Sequence, residues 1–234
     1  MILAGNQPYF LPYLGYWQLI AAADLFLLGD DYCYIRRGWV NRNRILVDGA
    51  PRYFRVEVRK NPVSRLICDK VRVTDPKLDR NRLRTLEMTY HRAPCFDAGY
   101  ALAERIFACQ DPGLLPFLEH SIREVCQYLE ITTPVGRMSE LEGNAAFRRE
   151  ERIYDACRRL GADTYINAVG GQTIYRFPEF ARRGIRLRFL RSGLPPYPQF
   201  GRPFVPSLSI LDAIMFNPPE RLQEMLRDYT WIDG

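Results

Sequence analysis

Residues 7–43, QPYFLPYLGYWQLIAAADLFLLGDDYCYIRRGWVNRN, carry the strongest indication of the fold. The apolar opening Met1–Ala4 leads into an aromatic, proline-broken turn that ends at Gly15. Tyr16–Ala23 can continue as a helix, and Leu25–Leu28 is typical of a second buried strand. Strand, loop, helix and strand in this order, with polar groups at the strand ends, is how α/β folds build small-molecule sites. We therefore interpret this stretch as the candidate site and the remainder of the chain as its support.

The composition is that of one globular domain. The 234 residues suffice to bury a full core, and 47% of them are hydrophobic. We expect a single domain over residues 1–234, in which residues 75–130 can form a helical sub-lobe. The net charge of +6 comes almost entirely from arginine, which suits bidentate contacts to phosphate and carboxylate. Since no arginine run exceeds two residues, a solvated arginine-rich surface is the preferred interpretation and phosphate binding is the alternative.

Cysteine and histidine usage excludes several classes of protein. The six cysteines show no CxxC spacing, which argues against a disulfide framework and a zinc site. The two histidines, His91 and His120, argue against a His-rich metal centre, so we expect no metal. The chain start lacks the features of a signal peptide, and no apolar run approaches the length of a membrane span. We expect a soluble, cytoplasmic protein.

The middle of the chain predicts a hairpin followed by helices. Asp48-Gly49 is a turn signal between the arms Arg44–Val47 and Tyr53–Val58, and Leu66–Val73 predicts one more strand. Helices are then predicted over Pro76–Tyr90, Asp97–Cys109 and Leu114–Leu129, the first capped by Thr74 or Asp75.

Residues 131–234 return to alternating strands and helices. Strands are predicted at Thr132–Val135, Thr164–Ile166 and Ile185–Leu190. Helices are predicted over Ala145–Leu160 with Asn144 as its cap, around Pro178–Arg183, and over Leu208–Phe216 and Glu220–Tyr229. The alternation at both ends of the chain predicts an α/β fold, a Rossmann-like sheet with helical cover and a helical insert around residues 75–130.

The candidate catalytic residues lie beside the first two predicted strands. Asp30 and Asp31 directly follow Leu25–Leu28, where one carboxylate could be desolvated enough to act as a base. The alternative is a structural or solvated loop pair. Gln7 is a third candidate, although its amide could instead satisfy backbone groups exposed by Pro8.

Candidate binding residues follow along the chain. Asn41-Arg42-Asn43 offers amides and a guanidinium to a phosphate, a carboxylate or sugar hydroxyls, or else forms a polar turn. Aromatic rings could stack on a sugar or a base, or belong to the core; these are Tyr13, Tyr34 and Trp39. Gly170-Gly171 could bring backbone N–H groups to phosphate, or be only a turn. Weaker candidates are Ser139, Glu140, Gln199, Ser209 and Asp212, of which Ser209 and Asp212 have the spacing of a capping box.

Short motifs spread over nearly the whole chain resemble the WbqC-like family. They are Gln7-Pro8, Leu11-Pro12-x-Leu14-Gly15-Tyr16, Ala23-Asp24, Trp39-x-Asn41-Arg42-Asn43, Ala93-Pro94, Ser139-Glu140-Leu141, Leu160-Gly161-Ala162, Gly184-Ile185, Tyr197-x-Gln199 and Leu208-Ser209-Ile210-x-Asp212. Two positions depart from the family pattern, Cys33 in place of glutamine and residues 167–171 in place of a Ser-Gly-Pro-Ser-Gly loop. The resemblance implies a role in bacterial O-antigen or polysaccharide biosynthesis, with transfer of glycine to an amino sugar.

Two functions stay open at this point. The first is an enzyme that transfers an aminoacyl group, such as glycyl, to a nucleotide-linked amino sugar or another amine acceptor. Its donor could be activated by ATP or could arrive as aminoacyl-tRNA. The second is a non-catalytic module that binds a nucleotide sugar or RNA in a biosynthetic complex. For either function we expect the Gln7-Pro8 bend, the two aspartates and Asn41-Arg42-Asn43 to converge on one cavity.

Overall fold

A central six-stranded sheet organises the protein in the computed structural model, which describes residues 1–60, 65–201 and 203–234. Two further strands, β3 and β4, pair only with each other as a hairpin. The strands are β1 (Ile2–Asn6), β2 (Leu25–Leu28), β3 (Arg42–Val47), β4 (Ala50–Arg55), β5 (Val135–Arg137), β6 (Thr164–Ala168), β7 (Arg186–Ser192) and β8 (Tyr229–Asp233).

The strand order of the sheet is β5-β2-β1-β6-β7-β8. Every neighbouring pair from β5 to β7 is parallel, and β8 runs antiparallel to β7 at the edge. The chain extends the sheet from β1 towards β2 and β5 on one side, and from β6 towards β7 on the other. The strand order therefore reverses between β1 and β6, and open α/β sheets bind ligands beyond the carboxyl ends of the strands at such a point. This topology confirms the predicted α/β class with a Rossmann-like sheet.

Helices cover both faces of this sheet. They are α1 (Leu14–Ala21), α2 (Pro76–Tyr90), α3 (Phe96–Phe107), α4 (Leu114–Tyr128), α5 (Glu150–Leu160), α6 (Phe177–Ala181), α7 (Ile210–Phe216) and α8 (Pro219–Arg227). Successive side chains of a strand point to opposite faces. On one face Leu3 and Tyr165 accordingly pack with α5 and α6, and on the other Ala4 and Ile166 share a core with α1 and the α2–α4 insert.

The helical insert is confirmed over α2 to α4. Asp75 caps α2 as predicted, since its carboxylate accepts a hydrogen bond of 2.8 Å from the backbone N–H of Lys77. Ser209 likewise caps α7 by accepting from the N–H of Leu211 at 3.3 Å. The single domain expected over residues 1–234 stays a prediction.

Four sequence-based elements were wrong. The strand predicted at Thr132–Val135 begins only at Val135, where β5 starts. The predicted strand Leu66–Val73 is absent from the described chain, where its residues make only isolated bridges such as Val71 with Gly113. The helix predicted from Ala145 begins only at Glu150, because the Asn144 side chain donates to Asp155 and to the carbonyl of Arg152 instead of capping. Glu220–Tyr229 was predicted as one helix, but α8 ends at Arg227 and Tyr229 starts β8.

In residues 1–60, 65–201 and 203–234, no helix combines the length and the apolar character needed to cross a membrane.

Candidate active site at the carboxyl edge of the sheet

Two asparagines mark the ends of the central strands. Asn6 at the end of β1 accepts a hydrogen bond of 2.8 Å from the backbone N–H of Gln7 through its side-chain oxygen. Asn167 near the end of β6 donates to the carbonyl of Gly5 at 3.2 Å and to the hydroxyl of Tyr165 at 3.0 Å. The bond from Asn167 to Gly5 ties the ends of β6 and β1 together where the strand order reverses, and the other two bonds orient the amides within each strand end.

The first of two cavities at this edge lies over β1 and β2, and we call it the β1–β2 cavity. Its volume is about 310 Å³, within the range of small-molecule sites. Amide and hydroxyl groups line it together with the apolar side chains of Met138 and Ile153. The polar lining residues include Asn6, Gln7, Tyr9, Tyr32, Asn167 and Tyr175. The lining contains no charged side chain among the described residues.

The second cavity lies over β6 and β7, and we call it the β6–β7 cavity. It encloses about 440 Å³, and its walls come from the end of β7, from the loop before α1 and from the β3–β4 hairpin. Asn6 and Tyr9 line both cavities, so the two adjoin at the end of β1. The remaining polar and aromatic lining residues include Tyr13, Trp39, Asn43, Arg44, Arg191 and Ser192.

The tyrosine hydroxyls around the cavities are hydrogen-bonding groups, not acids. Burial raises the pKa of Tyr9, Tyr13 and Tyr32 above the usual value for a phenol. Burial also raises the pKa of Tyr175 to about 12. These side chains stay protonated near neutral pH and can each donate a hydrogen bond to a ligand.

The two aspartates that follow β2 have different partners. Asp30 is 1% exposed, and its two oxygens accept from the backbone N–H of Ser139 at 3.1 Å and from its hydroxyl at 2.6 Å. Asp31 accepts from the guanidinium of Arg152 at 2.6 Å through Oδ2, whereas its buried Oδ1 has no hydrogen-bond partner in the described chain. The neighbouring Gly29 and Tyr32 line the β1–β2 cavity, but neither carboxylate does. The pair therefore borders this cavity.

Arg152 on α5 is the site residue that sequence reasoning missed most clearly. Its guanidinium lies 4.8 Å from the ring centroid of Tyr32, and its Nε donates to Asn144 at 2.9 Å. These contacts fix the orientation in which it meets Asp31. No pattern in the sequence singles it out, because its burial next to the likewise buried Asp155 and its pairing with Asp31 both depend on the folded chain.

The Asn41-Arg42-Asn43 segment is held by hydrogen bonds within the protein. Asn41 accepts from the hydroxyl of Tyr34 and donates to the carbonyl of Val56, both at 2.8 Å. Arg42 donates to backbone carbonyls of residues 37 and 38 and lies 4.0 Å over the ring of Tyr53. These two contact sets agree with the polar-turn interpretation.

Asn43 connects the hairpin to the loop after β1. Its amide donates to the carbonyl of Leu11 at 2.9 Å, and its oxygen accepts from the N–H of Arg44 at 2.8 Å. Asn43 lines the β6–β7 cavity, whereas Gln7 lines the β1–β2 cavity. Of the three predicted groups, Gln7 and Asn43 thus line two adjoining cavities instead of one, the side chains of Asp30 and Asp31 line neither, and Asn43 is the member of its segment that reaches a cavity.

Gly170-Gly171 forms a 3₁₀ turn, Val169–Thr173, that follows β6. A Cβ atom on Gly171 would come within 2.6 Å of the side-chain oxygen of Asn167, so a side chain there would displace this amide. Val169 lines one cavity, and Ile174 and Tyr175 line the other. The turn therefore lies at the rim shared by both cavities.

Of the predicted binding residues, only Tyr13, Trp39 and Asn43 line a cavity, and four of the others take part in structural contacts elsewhere in the described chain. Gln199 and Asp212 belong to a buried network in which Asp212 accepts from Gln199 at 2.6 Å, from Tyr197 at 2.7 Å and from Tyr90 at 2.8 Å. Ser209 caps α7 one turn before Asp212. Glu140 is exposed and closes the turn after β5 by accepting from the backbone N–H of Arg137 at 3.4 Å. The geometry of these groups is that of structural hydrogen bonds.

No set of three or more His, Cys, Asp or Glu side chains is arranged to hold a metal ion within the part of the chain that the structure describes. All six cysteines are free thiols.

The chain is similar over most of its length to a mycobacterial protein. The uncharacterized protein Rv1507c of Mycobacterium tuberculosis is 28% identical over 226 residues, which span 94% of this chain and 95% of the relative. No solved structure shows significant similarity. The model of the WbqC-like protein family matches residues 7–224, far more than half of the chain. The chain therefore belongs to the WbqC-like protein family.

Proposed function

We propose that this protein transfers an aminoacyl group, such as glycyl, to the amine of a nucleotide-linked amino sugar in the synthesis of O-antigen or a related polysaccharide. The observation that carries the proposal is the pair of adjoining cavities at the point where the strand order reverses. A ligand with a nucleotide part and a sugar part needs two such compartments. The acyl chemistry itself rests on the resemblance to the WbqC-like family.

Amide formation needs a base for the amine, an activated acyl carbon and donors towards the carbonyl oxygen. In the proposed step the amine nitrogen forms a bond to the acyl carbon, the bond from that carbon to the activating oxygen breaks, and the ammonium proton passes to a carboxylate. Asp31 is the favoured acceptor of that proton, because its Oδ1 has no partner among the described residues. Asp30 is the second candidate, but both of its oxygens already accept hydrogen bonds from Ser139.

Gln7 and the tyrosines of the β1–β2 cavity supply neutral hydrogen-bond donors. Tyr32, the residue after Asp31, lines this cavity, so these donors lie one residue along the chain from the proposed base. Such donors can stabilise a developing oxyanion without changing the net charge of the cavity. The acyl group can be activated by ATP as an adenylate or can arrive as the ester of an aminoacyl-tRNA, and the geometry does not favour one of these donors.

The test is a transfer assay with the purified protein, labelled glycine and a panel of nucleotide-linked amino sugars. One set of reactions contains ATP, and a second contains glycyl-tRNA. We expect the mass of one acceptor to increase by one glycyl residue, and we expect this product with only one of the two donors. Exchange of label between pyrophosphate and ATP that depends on glycine would identify ATP as the activator.

The alternative is a non-catalytic module that binds a nucleotide sugar or RNA. It is favoured by the internal hydrogen bonds that occupy Asp30, Asn41 and Arg42, since none of these groups is left free to act on a substrate. Ligand binding without amide product, across both donors and the whole acceptor panel, would support the module and refute the transferase.

A further inference from the structure

Arg44 of the β3–β4 hairpin has an unused hydrogen-bond donor at the β6–β7 cavity. Its Nε atom is buried and has no partner in residues 1–60, 65–201 and 203–234. One terminal nitrogen donates to the carbonyl of Ser207 at 3.3 Å. Buried polar atoms are paired in the great majority of native structures, and an exception calls for an explanation such as an absent ion or ligand. A guanidinium with a free N–H fits an anion.

A second guanidinium belongs to the same cavity. Arg191 lies near the end of β7 and lines the cavity with Arg44. Within the described chain neither arginine forms an ion pair with a carboxylate, and no acidic residue lines the cavity. Two uncompensated positive charges around about 440 Å³ favour a ligand with about two negative charges.

Trp39 adds an aromatic surface beside these charges. Its side chain is 39% exposed and lines the cavity, and the guanidinium of Arg44 lies 5.7 Å from its ring. Tyr53, which is 56% exposed, lies 6.5 Å from the same ring. An exposed aromatic ring next to arginine is the arrangement on which proteins stack nucleobases.

The position of Arg44 is fixed independently of any ligand. Its backbone N–H donates to Asn43, whose amide in turn holds the loop carbonyl of Leu11. On the other side the backbone carbonyl of Arg44 accepts from the N–H of Ser209 at 2.8 Å. The guanidinium therefore projects from a backbone segment that is bonded on both sides, as a preorganised binding residue requires.

We propose that the β6–β7 cavity binds a nucleoside diphosphate, with Arg44 and Arg191 on the diphosphate and Trp39 on the base. This inference rests on the proposed function and deepens it, because it fixes the direction in which a nucleotide-linked sugar lies. The diphosphate occupies the cationic cavity, and the sugar amine extends past Asn6 and Tyr9 into the uncharged β1–β2 cavity, next to Asp31.

The experiment is calorimetric titration of the whole chain with UDP, CDP, GDP, ADP and dTDP, and with the matching nucleosides. We expect at least one diphosphate to bind at least tenfold more tightly than its nucleoside, with an affinity that falls as salt is added. Arg44→Gln should weaken that binding at least tenfold, and Arg191→Gln should weaken it at least threefold. Trp39→Leu should weaken the binding of diphosphate and nucleoside alike, whereas inorganic pyrophosphate should bind Trp39→Leu and the wild type equally.

Arg36→Gln is the matched control, because Arg36 is exposed and lines neither cavity. Arg191 is exposed as well, so its variant is expected to fold even if Arg44→Gln does not. The proposal is overturned if no diphosphate binds the wild type, if nucleosides bind as tightly as diphosphates, or if Arg191→Gln and Arg44→Gln bind like Arg36→Gln.

This outcome is separable from that of the transfer assay, since no acyl donor is present. Diphosphate binding that needs both arginines, without any amide product, would leave the diphosphate site standing and refute the transferase. Amide product with an unchanged KM for the nucleotide sugar in both arginine variants would support the transferase and refute the diphosphate site.

Discussion

Two aspartates of this protein, the largely buried Asp31 and the fully buried Asp212, have opposite hydrogen-bond environments. Asp212 is fully buried, and its two oxygens accept from two tyrosine hydroxyls and from the amide of Gln199. Asp31 has one oxygen paired with Arg152, and the other is buried and unpaired within the described residues. Asp212 lies away from both cavities, whereas Asp31 borders one of them through Tyr32.

The difference separates two uses of a buried carboxylate. Asp212 holds together α2, α7 and the loop around residue 199, and its partners leave no free acceptor position directed at a ligand. Asp31 retains an acceptor that nothing in the described chain satisfies, which is costly unless a ligand or a proton completes it. Hydrogen-bond saturation therefore places Asp212 in a structural network, in agreement with its rank among the weaker candidates in the sequence, and leaves Asp31 as the proposed base.

The largest effect is expected from Asp31→Asn. Removal of the proposed base should lower kcat for amide formation about 100-fold or more, since general base catalysis contributes about 10²–10⁴ in rate. The amide oxygen can still accept from Arg152, but this largely buried guanidinium loses its counter-charge, so the melting temperature should fall while the protein stays folded at the assay temperature. Single-turnover kinetics with the labelled donor, together with thermal unfolding of the same preparation, measures both quantities. Full activity in a folded Asp31→Asn protein would remove Asp31 from the mechanism.

A large loss of stability, but not of the proposed chemistry, is expected from Asp212→Ala. The substitution leaves the hydroxyls of Tyr90 and Tyr197 and the amide of Gln199 without their acceptor, and each unsatisfied buried group costs about 1–3 kcal/mol. We expect a decrease of about 3 kcal/mol in the free energy of unfolding, measured by urea titration. A decrease below about 1 kcal/mol would show that this network contributes little.

A smaller effect is expected from Tyr197→Phe. This variant removes one of the three donors to Asp212 and keeps the ring contacts with Phe204 and Phe216. The free energy of unfolding should fall by about 1–2 kcal/mol, because the lost hydrogen bond is made to a carboxylate and two other donors to Asp212 remain. Tyr90→Phe is the matched variant on the other oxygen, although the Tyr90 hydroxyl also accepts from the N–H of Leu46. Tyr90→Phe should therefore lower the free energy of unfolding by more than Tyr197→Phe does.

The smallest expected effect is a pH dependence of stability from Asp212. Burial raises its pKa above the ordinary value of 3.8, against the lowering effect of its three hydrogen bonds. The folded state then binds this proton more tightly than the unfolded state does. The contribution of this raised pKa to the free energy of unfolding is accordingly fully present below about pH 4 and is lost as the pH rises through the pKa of the folded state. Urea unfolding of wild type and Asp212→Ala from pH 3.5 to pH 7 should give a difference that shrinks towards pH 7, and a growing difference would contradict this sign.

Much of the fold follows from local patterns, whereas the site depends on contacts between distant residues. The buried run Leu25–Leu28 and the Asp75 cap are visible in the sequence because apolar periodicity and capping act over a few residues. Arg191 was not among the candidates, although it directly follows the predicted strand Ile185–Leu190 and the rule that polar groups follow strands could have found it. The partner of Arg152 lies 121 residues earlier, and no local pattern encodes it.

The strand β8 was missed for a related reason. Tyr229–Asp233 is short and half-exposed, and it directly follows a helix, so the helical pattern was extended into it. Its strand conformation comes from pairing with β7, with Trp231 opposite Leu190. Tertiary pairing of this kind overrides local propensity. The unpaired Nε of Arg44 is likewise invisible in the sequence, because it depends on which groups fail to reach it.

The position of β1 in the middle of the sheet has a consequence for synthesis and refolding. Its partner β6 follows about 160 residues later, since Ile2 pairs with Thr164. Contacts at such a separation close slowly, so the nascent chain exposes an open apolar strand edge until β6 leaves the ribosome. Fragments that stop before β6 should therefore self-associate and engage chaperones, even when they retain every helix of the α2–α4 insert.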